Sequence, residues 1–246
     1  FRSDVSADMT RLTLDTIALC GFGQRLDSFA SDDLHPFVDA MVRVLDEAMA
    51  RVTRPRWLTR LNWPARQRFR QDIAYLHGLV DGVIHERQAS PGAANDLLGL
   101  MLEGSDPASG ERLSDTNMRY QVITFLIAGH ETTSGLLSFA TYFLCKNPQV
   151  LAKARAEVDA AFGNEMPRIE HLAKLRYIEQ ILMETLRIWP TAPAFALKPY
   201  EDTLLAGRYA LRKWDTVMVL VPMLHRDTKV WGNDVEAFRP ERFEPD

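Results

Sequence analysis

The 246-residue sequence predicts a mainly α-helical protein with a small β region toward its end. Three observations predict it. Apolar residues recur at helical spacing through roughly the first 190 residues, in segments separated by glycine and proline. One of these segments, from about Ser114 to Asn147, is apolar on most sides and reads as a central, buried helix. After Pro190 the texture changes to short runs of Val, Leu, Thr and Tyr around an Ala206-Gly207 turn.

The elements follow in order. Val5 to Leu19 is periodic and stops at the glycines of Cys20-Gly21-Phe22-Gly23. Pro36 suits a first helical turn and opens a helix to about Val52. Pro55 and Pro64 mark a connector, and Pro64 opens a long amphipathic helix to about Arg87, closed by Ser90-Pro91-Gly92. A short helix spans Asp96 to Leu102, and Gly104 to Gly110 is a polar loop. Ser114 or Asp115 caps the central helix, which at 1.5 Å per residue is roughly 50 Å long. Pro148 begins a helix ending at Phe162-Gly163. A last helix runs from about Arg168 to Trp189, with Lys174 the place for a break, and Pro190 stops it. Thr203-Leu204-Leu205, Arg208-Tyr209 and Thr216 to Val221 read as strands.

Hydrophobic residues are 46% and charged residues 25%, the composition of a globular protein long enough to bury a core. The net charge of -4 argues against a nucleic-acid-binding surface. Arg51, Arg54, Arg56, Arg60, Arg66, Arg68 and Arg70 form a basic run that reads as a solvated face, with an acidic partner or anionic ligand as the alternative. Cys20 and Cys145 make no disulfide framework and read as small buried hydrophobes in a cytoplasmic protein. Phe1-Arg2-Ser3-Asp4 begins no signal peptide. His130 and Glu131 interrupt the best apolar run, so no membrane span is expected.

Ala128-Gly129-His130-Glu131-Thr132-Thr133 is costly in the middle of a helix, because glycine gives up about 1 kcal/mol against alanine and threonine competes for backbone carbonyls. Phe125, Ala128, Gly129, Thr132 and Leu136 share one face, small in its middle, where something flat could approach the backbone. Thr132 is placed to bond the carbonyl of Ala128 and leave a polar notch. Glu131 lies on the next strip, and an acid beside an alcohol suits proton delivery. Periodicity equally permits a helix crossing built on small residues. His130-Glu131 opens like a zinc-protease motif, but Ser134 stands where the second histidine is required. Glu184 and Arg187 are three apart on a helix with Ile178, Ile181, Leu182, Met183, Leu186, Ile188 and Trp189 around them, which implies a buried pair. An exposed pair of little energetic weight has the same spacing.

In order and spacing, Ala128 to Thr133, Glu184-Thr185-Leu186-Arg187 and Pro240-Glu241-Arg242-Phe243 together resemble the cytochrome P-450 haem monooxygenases over essentially the whole chain. Asp8 to Thr16, Thr124 to Ala140 and Trp189 to Phe195 resemble the bacterial self-sufficient fatty-acid hydroxylases, whose haem domain is fused to a diflavin reductase. The resemblance implies an incomplete cytochrome P-450 fold: central and late helices plus the first sheet strands. It implies haem b, FMN, FAD and NADPH as cofactors, with O2 and a fatty acid as substrates. Thr132 and Glu131 become the catalytic proton-delivery pair. Phe125, Ala128, Gly129, Thr132, Thr133, Thr191 and Phe195 line the haem pocket. Met41, Leu45, Met49, Phe125, Ala128 and Ala192 line the substrate pocket, although Met41, Leu45 and Met49 also read as a packing stripe. Glu184, Arg187 and Arg242 form a structural ion network.

The family's iron ligand is a cysteine in a Phe-x-x-Gly-x-x-x-Cys-x-Gly loop downstream of the Pro-x-Arg-Phe motif. The chain stops at Asp246, three residues past Phe243, so that ligand is expected beyond it. The expectation is therefore a partial haem domain over 1–246, inactive alone, with the N-terminal β region, cysteine loop and reductase outside the chain. Two other readings are a non-catalytic helical scaffold derived from this fold, and a monooxygenase of the same family acting on another small apolar substrate. A kinase-like reading of His225-Arg226-Asp227 fails because the required asparagine is off by one, at Asn233.

Overall fold

Glycine, proline and short polar side chains set the helix boundaries of this chain. A computed structural model describes residues 4–31, 33–89 and 96–245, with only the backbone of Arg56. Phe1-Arg2-Ser3, the Ser90-Pro91-Gly92 stop and Asp246 lie outside the described residues. Helix α1 (Val5–Phe22) starts where the Asp4 carboxylate accepts from the Ala7 N–H at 3.1 Å. It runs one turn further than its glycines suggest and ends at Gly23, whose φ of 69° is the left-handed conformation that glycine adopts without strain. A side chain there would also collide with the Arg87 guanidinium, whose Nη2 would lie 2.6 Å from the new Cβ.

Next come α2 (Pro36–Thr53), α3 (Arg56–Leu61), α4 (Trp63–Ala89) and α5 (Leu97–Glu103), then α6 (Asp115–Lys146), capped by the Ser114 hydroxyl on the Asn117 N–H. α3 falls in the stretch read as a connector; its six residues are too few for a periodic signal. The chain forms two compact units, residues 1–134 and 135–246, and the division falls inside α6.

The first unit is built around Leu14, Ala18 and Phe22 of α1, Phe37 and Met41 of α2, Leu76, Val80 and Ile84 of α4, and Met118, Val122 and Leu126 of α6. Bidentate Arg43–Asp72 ties α2 to α4, and Arg119–Asp81 ties α6 to α4. Arg87 holds Asp96 at the start of α5 and the Phe22 carbonyl at the end of α1. Within the basic run, Arg51 and Arg54 both pair with Glu47, and Arg66 donates to the Arg60 carbonyl.

In the second unit α7 (Pro148–Phe162) precedes a 3-10 turn (Ile169–Lys174) and α8 (Arg176–Ile188), the break falling at Leu175. Ala154, Tyr177 and Ile181 are its buried apolar centre. Glu157 of α7 caps α8, accepting from the N–H groups of Tyr177 and Ile178 at 2.7 and 3.0 Å. Strands β1 (Ala194–Leu197) and β4 (Val217–Leu220) pair antiparallel, as do β2 (Thr203–Leu205) and β3 (Tyr209–Leu211). β1 escaped the sequence reading because four residues between Pro193 and Pro199 show no alternation of burial. Helices α9 (Val221–Leu224) and α10 (Thr228–Trp231) and a 3-10 turn (Pro240–Phe243) complete the unit.

Two expectations are corrected. Cys20 and Cys145 are exposed rather than buried. Cys20 lies on the far side of α1 from Leu14 and Ala18, and Cys145 is in the last turn of α6. Nor is α6 buried all round. Met118, Val122, Leu126, His130 and Ser134 form one buried i,i+4 stripe, while Tyr120 and Tyr142 are 51% and 53% exposed. No helix among the described residues is long and apolar enough to cross a membrane.

Candidate functional site

The notch residues lie in the first unit, on the second half of its stretch of α6. Thr132 Oγ1 donates to the Ala128 carbonyl at 2.8 Å, the back-bond that its i,i+4 spacing permits. Neighbouring carbonyls are also engaged by side chains. His130 Nδ1 donates to Leu126 O at 2.8 Å, and Ser134 Oγ donates to Glu131 O at 3.0 Å. Thr13 of α1 reaches the His130 carbonyl at 3.1 Å. Four carbonyls within six residues thus carry an extra donor.

Exposure divides the site residues. Phe125 is 38% exposed, and Ala128, Glu131, Thr132 and Thr133 are exposed with it. Phe125, Ala128 and Thr132 share one open face, with the Glu131 carboxylate and the Thr133 hydroxyl flanking it on opposite sides. Gly129 is not part of that face. A Cβ there would sit 3.0 Å from Ile17 Cγ1, so its smallness serves the approach of α1, as the helix-crossing alternative held. The stripe on α2 also divides. Met41 is a core residue at 1% exposure, Leu45 packs against the core, and Met49 is 69% exposed. A nine-residue stripe cannot keep one environment when the last turns of α2 project beyond the core. A half-enclosed apolar cavity of about 270 Å³ lies among Leu14, Phe22, Phe37, Val122 and Leu126, on the buried side of α6 and away from the notch.

In the second unit, Thr191 is half-buried, and its Cγ2 would lie 3.1 Å from a Cβ at Gly135. Ala192 is exposed and Phe195, on β1, is 50% exposed. The ion network here is closed to solvent: Glu184 is 0% and Arg187 2% exposed. Arg187 grips Glu184 with two bonds, Nε to Oε2 at 2.6 Å and Nη2 to Oε1 at 2.8 Å. Oε1 also accepts from the Arg239 backbone N–H at 2.9 Å and from Arg242 Nε at 3.3 Å. Further guanidinium N–H groups donate to carbonyls, Arg187 to His225 and Ala237 and Arg242 to Trp231 and Asp234, and Arg242 Nη2 also pairs with the Asp234 carboxylate at 2.8 Å. His225 Nδ1 donates back to the Arg187 carbonyl at 3.0 Å. Every charge is therefore paired and hydrogen-bonded, the condition on which burial is tolerable. At the rim, the Arg242 guanidinium holds the Asp234 carboxyl below the usual carboxylate range.

Sequence reasoning missed Thr13 and Ile17, whose one signal is a threonine among the core positions of α1. It also missed the carbonyls of His225, Trp231, Asp234 and Ala237, which no side-chain pattern encodes. Among the described residues, no group of three or more His, Cys, Asp or Glu side chains is placed to hold a metal ion.

The cytochrome P450 family matches residues 2–246. A bifunctional cytochrome P450/NADPH–P450 reductase of Bacillus cereus is 53% identical over 98% of this chain, and one of Bacillus subtilis is 52% identical over 98%. A self-sufficient cytochrome P450 monooxygenase of Phanerodontia chrysosporium is 46% identical over 98%. The chain spans 23% of the length of each of these relatives. An open notch on a long helix, a sealed Glu184–Arg187–Arg242 network and a match of this extent have one reading: the chain belongs to the cytochrome P450 family.

Proposed function

We propose that residues 1–246 are the oxygen-side portion of a haem monooxygenase domain that inserts one atom of O2 into a long-chain fatty acid near its end. Electrons come from NADPH through an FAD- and FMN-containing reductase, fused as the names of the relatives describe for them. The observation that carries this reading is the exposed Thr132 hydroxyl on the same open face of α6 as Phe125 and Ala128, with the exposed Glu131 on the adjacent strip. A flat macrocycle fits there, because Ala128 and Thr132 leave the helix backbone accessible. Phe125, Ala128, Thr132 and Thr133 are the residues of the first unit proposed to contact it.

When bound, haem with a thiolate ligand supplies the cleavage of the O–O bond. The thiolate is expected from a cysteine loop downstream of Phe243, and neither Cys20 nor Cys145 has the glycine-rich context of that loop. The chain's own part is proton handling and shape. The Thr132 hydroxyl would pass its proton to the substrate oxygen and take one back from the Glu131 carboxyl, which solvent reprotonates. Phe125 and Ala128 on α6, with Leu45 and Met49 on α2, are proposed to exclude water and hold an acyl chain, while Met41 belongs to the core. Glu184, Arg187 and Arg242 keep the second unit rigid. Two unpaired cysteines suit a cytoplasmic location.

The test is NADPH-driven turnover of a long-chain saturated fatty acid by the full-length protein, with hydroxylated acid as the product. Turnover of a short alkane but not the acid would leave the fold's chemistry and replace the substrate. No oxygenated product from either, and no carbon-monoxide band on reduction, would favour the scaffold. The same band obtained from residues 1–246 alone would overturn the placement of the ligand downstream.

A further inference from the structure

Three of the four extra donors at the notch come from α6 itself; Thr13 comes from α1. It is 5% exposed, in a helix whose Thr10 and Thr16 hydroxyls serve only their own preceding turn among the bonds described. Its single proton is shared among Met9 O at 2.9 Å, Thr10 O at 3.3 Å and His130 O at 3.1 Å. One turn on, Ile17 lies against the bare Cα of Gly129. An added methyl would meet Ile17 Cγ1 at 3.0 Å, Cδ1 at 3.2 Å and Cβ at 3.6 Å. Ile17 is β-branched and stiff, so relief must come from moving α1 rather than turning a side chain. Moving α1 by a few tenths of an ångström weakens the Thr13 bond to His130 O, which at 3.1 Å is already long for a hydroxyl donor.

We propose that Thr13 is a positioning residue: the missing side chain at Gly129 lets α1 close on α6, and the Thr13 hydroxyl then fixes the His130 carbonyl, between Ala128 and Thr132, in the shape the notch needs. The inference rests on the proton-delivery reading of Thr132 and Glu131. With the tie gone, the His130 carbonyl loses its anchor on α1, the notch relaxes, and Thr132 no longer presents its hydroxyl at a fixed point.

The experiment uses the full-length protein. In Thr13→Val, which keeps the shape and loses the hydroxyl, peroxide released per NADPH is expected to rise about threefold, the worth of one ordinary hydrogen bond. Thr13→Ser should return it to the parent value. Amide exchange over residues 130–135 should quicken in Thr13→Val and not in Thr13→Ser. Should Thr13→Val fail to fold, Gly129→Ala tests the same clamp: it is expected to uncouple, and adding Ile17→Ala should restore coupling by removing the collision. Thr132→Ala is run alongside. If Thr132→Ala uncouples and Thr13→Val changes neither coupling nor exchange, the clamp is overturned. If Thr132→Ala stays coupled, the proton-delivery reading falls, while faster exchange in Thr13→Val still supports the tie. If Ile17→Ala does not rescue Gly129→Ala, Gly129 acts elsewhere and the closing of α1 is overturned.

Discussion

At the notch of α6, Thr132 is exposed and bonds a carbonyl one turn away, whereas in the second unit Glu184 is fully buried and takes four hydrogen bonds from residues up to 58 positions distant. The notch departs from good helix chemistry and gains little packing in return. The network satisfies every charge and gathers α8, the ends of α9 and α10, the 3-10 turn at Pro240 and the residues just before it. The difference separates two uses of polar residues inside an apolar framework. Local, open and poorly stabilising groups are available for chemistry, and long-range, sealed groups hold the chain together.

The comparison can be broken from either side. The largest effect is expected at Glu184. Glu184→Ala leaves Arg187 and Arg242 buried without their carboxylate, and urea unfolding should show a loss of about 3–5 kcal/mol; a loss below about 1 kcal/mol would remove the network from the stability account. Arg187→Lys comes next. It keeps the charge but cannot span both oxygens of Glu184 and reach the His225 and Ala237 carbonyls, and about 2 kcal/mol should go. Thr132→Val should stay within about 0.5 kcal/mol of the parent, because an exposed hydroxyl bonded to its own helix contributes little to folding.

The smallest effect lies in the acid arm of the pH–stability curve. The Arg87 side chain, with the Gly99 N–H, holds the Asp96 carboxyl below its ordinary value against burial, and Arg242 does the same at Asp234. Because the folded state depresses these carboxyls, the stability they add is full above about pH 4 and is lost as the pH falls through their folded values. Asp96→Asn should flatten that loss, measured as the urea midpoint between neutral pH and pH 3, and an unchanged slope would contradict it.

Much of this architecture was legible before any coordinates. Proline and glycine marked most helix ends, the Thr132–Ala128 bond followed from a four-residue spacing, and the apolar surroundings of Glu184 and Arg187 required burial. The residues that resisted share a physical reason: their environment is set by another segment. Gly129 is small because Ile17 lies 112 positions earlier in the chain. Met49 is exposed because α2 outruns its core. β1 exists because β4 returns to pair with it. Thr13 has the spacing of an ordinary core threonine, and only the packing of α1 on α6 brings its hydroxyl to the His130 carbonyl.

The most direct test of the division between an open working notch and a sealed scaffold is the ratio of hydroxylated product to NADPH consumed in Thr132→Ala of the full-length protein. A ratio that falls severalfold, with peroxide making up the difference and the urea midpoint unchanged, is the predicted result. A ratio equal to the parent's would contradict the assignment of the notch to proton delivery.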